Sequence, residues 1–327
     1  MSSREPGPLL VVVAHPDDEA LGFAGVIARA RSEGRRIYIA VVTNGDDRAH
    51  GRLPLRFCGA PRGRPARVAR LGVRRGSETL KAMSLLGLRH SRDPKASDVF
   101  LLGYPNYGLE TIAGSDAPWT GDATGLHRTY AAAGAWHRCD GDLSNLLRGR
   151  HSQHCMADLA RDLDDLLELT GPSDVYTHVE FDGHPDHAEL HRQIVAALRR
   201  RGRPVIVHST LIHPAGTRDR MHESAYDWPN PAQHEVATPY ERFTPELNFA
   251  PPGESWGPLG PPDELIEVPP SMQSSDPAQN LKWQVIASYA SQLECRVRGA
   301  DPYHPSCGYM RAFVKRVEFF WTLRVSP

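Results

Sequence analysis

Residues 9–14 (LLVVVA) form an unbroken apolar run rich in β-branched valine, closed by charged residues. A run of that length predicts a strand buried on both faces, as in a parallel sheet. Residues 17–31 follow with acidic side chains at the start and arginines at the end, a helix pattern that Gly34 would terminate. The alternation continues along the chain. Residues 36–43 (RIYIAVVT) predict a second strand, 67–86 a helix stopped by Gly87, and 99–102 a short third strand. Residues 156–169 predict an amphipathic helix, 174–179 a fourth strand, 188–200 a helix and 205–209 a fifth strand. Helical spacing returns at 281–293, and 312–323 resembles a final strand. Strands alternating with helices predict an α/β fold, a Rossmann-like, mostly parallel sheet with helices on both faces.

Three stretches break the pattern. Residues 45–66 are rich in Arg, Gly and Pro, 103–150 in Gly, Ala, Asp and aromatics, and 214–276 in Pro. Long irregular segments in a compact domain are usually functional lids or disorder. The expectation is one domain over 1–327, with these insertions forming a cap.

Composition narrows the partners. The net charge is -1, so no excess of basic residues exists to neutralise a phosphate backbone, and nucleic acid is not an expected partner. No run approaches the roughly 18 apolar residues of a membrane span. The five cysteines are scattered (Cys58, Cys139, Cys155, Cys295, Cys307) and form no disulfide framework by spacing, so a cytoplasmic protein is expected. Nothing in the sequence sets an oligomeric state.

The chemistry gathers in two motifs. His15-Pro16-Asp17-Asp18-Glu19 directly follows the first predicted strand, and His184-Pro185-Asp186-His187 follows the fourth and opens a helix. In open parallel sheets the ligand site lies beyond the carboxyl ends of the strands, which puts both motifs at one edge. His15 and Asp18 are three apart at a helix entry, as are His184 and His187, so each pair can share a face. Imidazole nitrogen and carboxylate oxygen suit Zn²⁺, and three protein ligands with a fourth position for water are the composition of a catalytic site. The second carboxylate of the first motif is placed to act as a general base, although spacing alone does not tell which Asp binds the metal. A single Asp in a first helical turn would be read as a cap; the paired motifs outweigh that reading.

AHPDDE together with HPDH resembles the PIG-L/LmbE family of zinc-dependent N-acetylglucosaminyl deacetylases. The resemblance implies zinc ligands His15, Asp18 and His187, with Asp17 as base and His184 as a second catalytic residue. Arg75-Gly76-Ser77-Glu78 is similar to the family's Arg-x-x-Glu helix, which implies a substrate contact at Arg75. Lys282 with Ala290-Ser291-Gln292, and Glu318-Phe319-Phe320, resemble its C-terminal helix and closing strand. There is one departure: Gly103-Tyr104-Pro105-Asn106 stands where relatives often carry a sugar-binding Asp, so Asn106 is expected to meet the hydroxyls as donor and acceptor. Position 289 is Tyr where relatives often have His.

The resemblance implies removal of an N-acetyl group from an N-acetylglucosamine moiety, giving acetate and a free amino sugar. Joined to the long loops, it points to a natural-product scaffold, a glycopeptide or aminoglycoside precursor. Rival readings are a zinc amidase cleaving a thiol–sugar conjugate and a non-catalytic sugar-binding protein. A phospho-acceptor domain is disfavoured, because no Asp closes the third strand. His151, His154 and Cys155 also have ligand spacing, but without a Cys-x-x-Cys pair they read better as solvated loop residues than as a second metal site. Asp46 and Asp47 fit either a substrate contact or a solvated loop.

Overall fold

Five strands run parallel in the computed structural model: β1 (Leu9–Val13), β2 (Ile37–Thr43), β3 (Val99–Tyr104), β4 (Asp174–His178) and β5 (Val205–Thr210). Two more, β6 (Glu264–Glu267) and β7 (Val317–Val325), complete a sheet of order β3-β2-β1-β4-β5-β7-β6, with β7 antiparallel to both neighbours. The structure describes residues 7–46, 63–131, 139–213, 261–293, 308–311 and 313–326.

Residues 9–14 are each at most 1% exposed, so β1 is buried on both faces as its unbroken apolar run requires. Leu9, Val11 and Val13 point into one layer and Leu10 and Val12 into the other. The first layer packs α1 (Asp18–Gly22), α2 (Ala24–Ser32), α3 (Arg64–Leu85) and α8 (Leu281–Ile286). The second packs α4 (Leu109–Ala113), α5 (Leu143–Arg148), α6 (Met156–Thr170) and α7 (Pro185–Arg201). The mostly parallel sheet with helices on both faces is thus as expected. A last short helix, α9 (Gly308–Arg311), precedes β7.

Several boundaries differ from the pattern, each for a tertiary reason. The helix expected over 17–31 is broken at Phe23, and a separate α2 begins after it. Its first free N–H groups, of Gly25 and Val26, donate to the Glu318 carboxylate from β7 at 2.7 and 2.8 Å. A carboxylate at a helix N-terminus satisfies orphan donors and meets the positive end of the dipole. Gly25 has to be glycine for that approach, since a Cβ there would lie 2.8 Å from Glu318 Cδ and 2.5 Å from Val268 Cγ1. The helix expected over 281–293 ends at Ile286, because Tyr289 and Ser291 turn inward to Glu19 and Glu78. The final strand starts at Val317 rather than 312. Within 103–150 the described residues are not all irregular, since α4 and α5 lie there. Residues 47–62, 132–138 and 214–260, which hold much of the expected cap, lie outside the described residues.

Cys139 is disulfide-bonded and Cys155 is a buried free thiol. The scattered cysteines are expected to form no disulfide framework; a bonded Cys139 weakens the cysteine-based argument for a cytoplasmic protein. No helix among the described residues is long and apolar enough to cross a membrane.

Candidate active site

β1 and β4 are adjacent and parallel, with Leu9 opposite Asp174 and Val11 opposite Tyr176. The two motifs that leave their carboxyl ends therefore meet. His15 Nδ1 lies 2.9 Å from His187 Nε2, Asp18 Oδ2 lies 3.3 Å from the first and 3.1 Å from the second, and all three residues are buried. A tetrahedral ion with bonds of about 2.0–2.1 Å separates its ligand atoms by about 3.3 Å. The triangle fits that requirement.

Hydrogen bonding decides which lone pairs are free to face an ion. His15 Nε2 lies 3.2 Å from Asp186 Oδ2, so its proton sits there and Nδ1 is left for the centre. His187 Nδ1 lies 3.2 Å from Asp182 Oδ1, an ionic contact without good hydrogen-bond alignment, and Nε2 is left for the centre. A carboxylate behind each ring is the usual support of a metal-binding histidine. Two neighbouring histidines also come within reach of a common ion with these residues, His178 and His184. Their lone pairs are spent: His178 Nε2 accepts from Ala14 N–H at 2.9 Å, and His184 Nδ1 accepts from Asp186 N–H at 3.2 Å as the N-cap of α7. The donor set His15, Asp18 and His187 fits a metal ion.

The electrostatics agree. Burial pulls the His187 pKa down, but Asp18 and Asp182 outweigh it and push the group up to about 10. The two carboxylates thus demand a positive charge between them, which a bound cation supplies in place of the proton. His184 goes the other way: burial, then His15, His187 and His213, hold it well below the usual imidazole range. It is a neutral ring that accepts at Nδ1, so Nε2 carries the proton.

Asp17 is held beside this centre in a strained backbone, φ 117° and ψ -30°. Such a conformation for a non-glycine residue costs on the order of 1–3 kcal/mol and needs its surroundings to hold it. Glu19 Oε2 accepts the Asp17 N–H at 3.0 Å. Arg75 donates to Asp17 Oδ2 at 3.0 Å, to Pro16 O at 2.5 Å and to Gly45 O at 2.9 Å. Burial pushes the Asp17 carboxyl up to about 7 against the pull of Arg75. Arg75 is thus a buried clamp on the Asp17 turn rather than a solvated helix arginine.

Asn106 stands at the same edge. Its N–H donates to Asp46 Oδ1 at 3.0 Å, and its Oδ1 is buried with no hydrogen-bond partner among the described residues. Asp46 is not a solvated loop residue; it is buried and also accepts from the Tyr130 hydroxyl, while Asp47 lies outside the described residues. The Tyr107 ring lies 4.5 Å from the His184 ring, tilted by 38°.

Sequence reasoning missed the residues that support the centre. Asp186 accepts from Tyr107 N–H and Leu109 N–H at 2.6 and 3.0 Å, tying the loop after β3 to His15. Asp182 accepts from His184 N–H, Ile212 N–H and His213 N–H, joining the β4 and β5 edges. Glu19 accepts from the Tyr289 hydroxyl. Asp182 lies just before the second motif and Asp186 within it, so proximity was their available signal; Tyr289 had only its place in the C-terminal segment. His151 and His154 do not converge with Cys155. His151 leans on Asp142 at 2.6 Å, and His154 is buried between Tyr104 and Trp119. Among the described residues, groups that could share an ion lie at the first site alone.

The chain matches the family of GlcNAc-PI de-N-acetylases over residues 10–198, more than half its length. It is 27% identical over 201 residues to a 1D-myo-inositol 2-acetamido-2-deoxy-alpha-D-glucopyranoside deacetylase of Actinosynnema mirum, across 61% of this chain and 57% of that relative. The chain therefore spans little more than half the length of that curated relative. Among solved structures it is similar to the A40926 pseudoaglycone deacetylase, with TM-score 0.47, 17% identity and 98% of each chain covered. It is also similar to the N,N'-diacetylchitobiose deacetylase of Pyrococcus horikoshii, with TM-score 0.49, 14% identity, and 98% of this chain and 84% of that one covered. The family match covers residues 10–198 and contains both motifs with His15, Asp17, Asp18, His184 and His187, so the chain belongs to the PIG-L family of GlcNAc-PI de-N-acetylases.

Proposed function

We propose that the protein is a zinc-dependent hydrolase that removes the N-acetyl group from an N-acetylglucosamine moiety, giving acetate and a free amino sugar. The observation that carries this reading is the convergence of His15 Nδ1, Asp18 Oδ2 and His187 Nε2 next to Asp17, in a chain of this family. His15, Asp18 and His187 hold the ion. When bound, zinc lowers the pKa of a water toward about 7 and polarises a carbonyl. Asp17 takes the proton of the attacking water, its carboxylate aimed by Arg75 and by the Glu19 contact to its backbone. His184, with its proton on Nε2, donates a hydrogen bond to the oxygen on which negative charge develops. The proton gathered at Asp17 then passes to the departing amine. Asn106 offers its unpartnered amide oxygen to a sugar hydroxyl, and Arg75 lies close enough to that turn to meet the substrate as well. The acceptor carrying the sugar is a small-molecule, natural-product scaffold of the glycopeptide or aminoglycoside-precursor kind.

Acetate release from a panel of N-acetylglucosaminyl compounds by the zinc-loaded protein tests the reading. Asp17→Asn keeps zinc and loses roughly 10²–10⁴ in rate; unchanged turnover rejects the base. His187→Ala loses metal, and full zinc retention rejects the ligand set.

A further inference from the structure

The loops 121–130 and 149–153 line a second, open concavity of about 510 Å³, formed by His127, Arg128, Arg150, His151, Gly149 and Gln153, together with Leu126. No lining residue is acidic. Arg128 and Arg150 are exposed, and neither guanidinium forms an ion pair with a described carboxylate. Their neighbours do: Arg148 is drawn away to Asp162 and Asp165, and Arg92 to Asp140.

The two histidines are fixed from behind. His127 Nδ1 lies 2.9 Å from Asp122 Oδ2, and His151 Nδ1 lies 2.6 Å from Asp142 Oδ2. Both carboxylates are buried and already engaged. Asp122 accepts from Thr124 N–H, the Thr124 hydroxyl and His127 N–H; Asp142 accepts from Asn145 N–H and the Thr129 and Ser144 hydroxyls. Neither ring can turn without breaking such a set. His127 also sits at φ 58°, a left-handed conformation that the Asp122 contacts hold in place. With Nδ1 committed to a carboxylate, each ring turns Nε2 away from it, and the described residues offer that nitrogen no partner.

Asp122 and Asp142 stand behind the two imidazoles, but the two guanidinium groups at this concavity have no described carboxylate of their own. We propose that this concavity is an anion-binding site for a phosphoryl dianion, matched by the two arginine forks. The dianion is either free inorganic phosphate or a phosphoryl group carried by the substrate. In the second case the site deepens the functional reading and rests on it. His127 lies three residues before Tyr130, whose hydroxyl reaches Asp46 and, through it, the Asn106 loop. The chain thus links this concavity to the edge where the motifs meet.

Binding of inorganic phosphate to the full-length, zinc-loaded protein, followed by calorimetry, tests the site without relying on turnover. Saturable 1:1 binding at millimolar or lower concentration is expected, weakened at least tenfold in R128Q/R150Q and by a smaller factor in R128K/R150K, which keeps the charge but loses the forks. The same binding should persist in metal-free His187→Ala, which separates it from phosphate held at the metal centre. Absence of saturation at 20 mM, or binding that survives R128Q/R150Q, overturns the proposal. To separate the sources, kcat/KM is compared for N-acetylglucosamine and its 1-phosphate and 6-phosphate. A tenfold loss in R128Q/R150Q confined to a phosphorylated compound assigns the phosphoryl group to the substrate. Weakened phosphate binding with no such change assigns free phosphate. If no compound releases acetate, the functional reading fails while the calorimetric result still stands.

Discussion

Lys282 and Glu318 form an ion pair inside the first core layer, and breaking it should be one of the most costly single changes in the molecule. Both side chains are almost wholly buried, at 1% and 4% exposure. Lys282 Nζ donates to Glu318 Oε1 at 2.6 Å, and the same carboxylate takes the Gly25 and Val26 N–H groups at the start of α2. Three elements, α2, α8 and β7, thus share one charge pair. Removing one partner of a buried pair costs about 3–5 kcal/mol, because a charge is left uncompensated. In Lys282→Met the carboxylate keeps two backbone donors and the helix dipole, worth up to about 2 kcal/mol, so the loss should lie near 3 kcal/mol. In Glu318→Gln the ammonium loses its counter-charge and α2 loses its anion, so the loss should approach 5 kcal/mol. At about 2–4 °C per kcal/mol these become drops in Tm of about 6–12 and 10–20 °C. The double variant should lose less than the sum, by a coupling of roughly 1–3 kcal/mol. Thermal and urea unfolding followed by circular dichroism measure all three. Single variants within about 1 kcal/mol of the parent, or strict additivity, would show that the pair does not hold these elements together.

Three other changes probe the site and its frame. Gly45 has φ +60°, and a Cβ there would lie 2.2 Å from Arg75 Nη1; Gly45→Ala should displace Arg75 from the Asp17 turn and cut kcat at least tenfold with zinc retained, and near-parental turnover would count against the clamp. Asp182→Asn removes the carboxylate behind His187 and should weaken zinc binding about 10–100-fold in competition with a chelator; unaltered affinity would remove Asp182 from the support of the centre. Burial raises the Asp174 pKa, but His208, Ser173 and Arg35 outweigh it and hold the carboxyl at about 2, below its ordinary 3.8. A depressed carboxylate stabilises the fold above its unfolded pKa and loses that contribution as pH falls through its folded one. Asp174→Asn should therefore cost about 2 kcal/mol at pH 7, with the gap to the parent reduced to roughly half by pH 3. A gap that does not narrow between pH 5 and pH 3 would contradict the depressed pKa.

The sequence alone determined the five parallel strands, the layers and the edge where chemistry gathers, but not β6, which lies inside the stretch 214–276 read as an insertion. An unbroken apolar run such as 9–14 has no stable place except the middle of a covered sheet, and a motif that leaves such a strand must emerge at its carboxyl end. That reasoning needs only local spacing, so it located His15, Asp18, His184 and His187 before any contact was known. What local spacing does not encode is which side chains, far apart in the chain, arrive behind those residues. Asp182 and Asp186 fix the histidine protons, Glu19 and Arg75 hold the strained Asp17 turn, Tyr289 reaches Glu19 across 270 positions, and Glu318 from β7 caps α2 and breaks the helix at Phe23. Each depends on hydrogen-bond direction and burial, which exist only once the sheet has brought its edges together. The disulfide at Cys139 and the clamped histidines of the second concavity were invisible for the same reason: spacing along the chain says nothing about which loop a residue will face. Sequence decided where the site would be; the tertiary structure decided which of its lone pairs remain free to act.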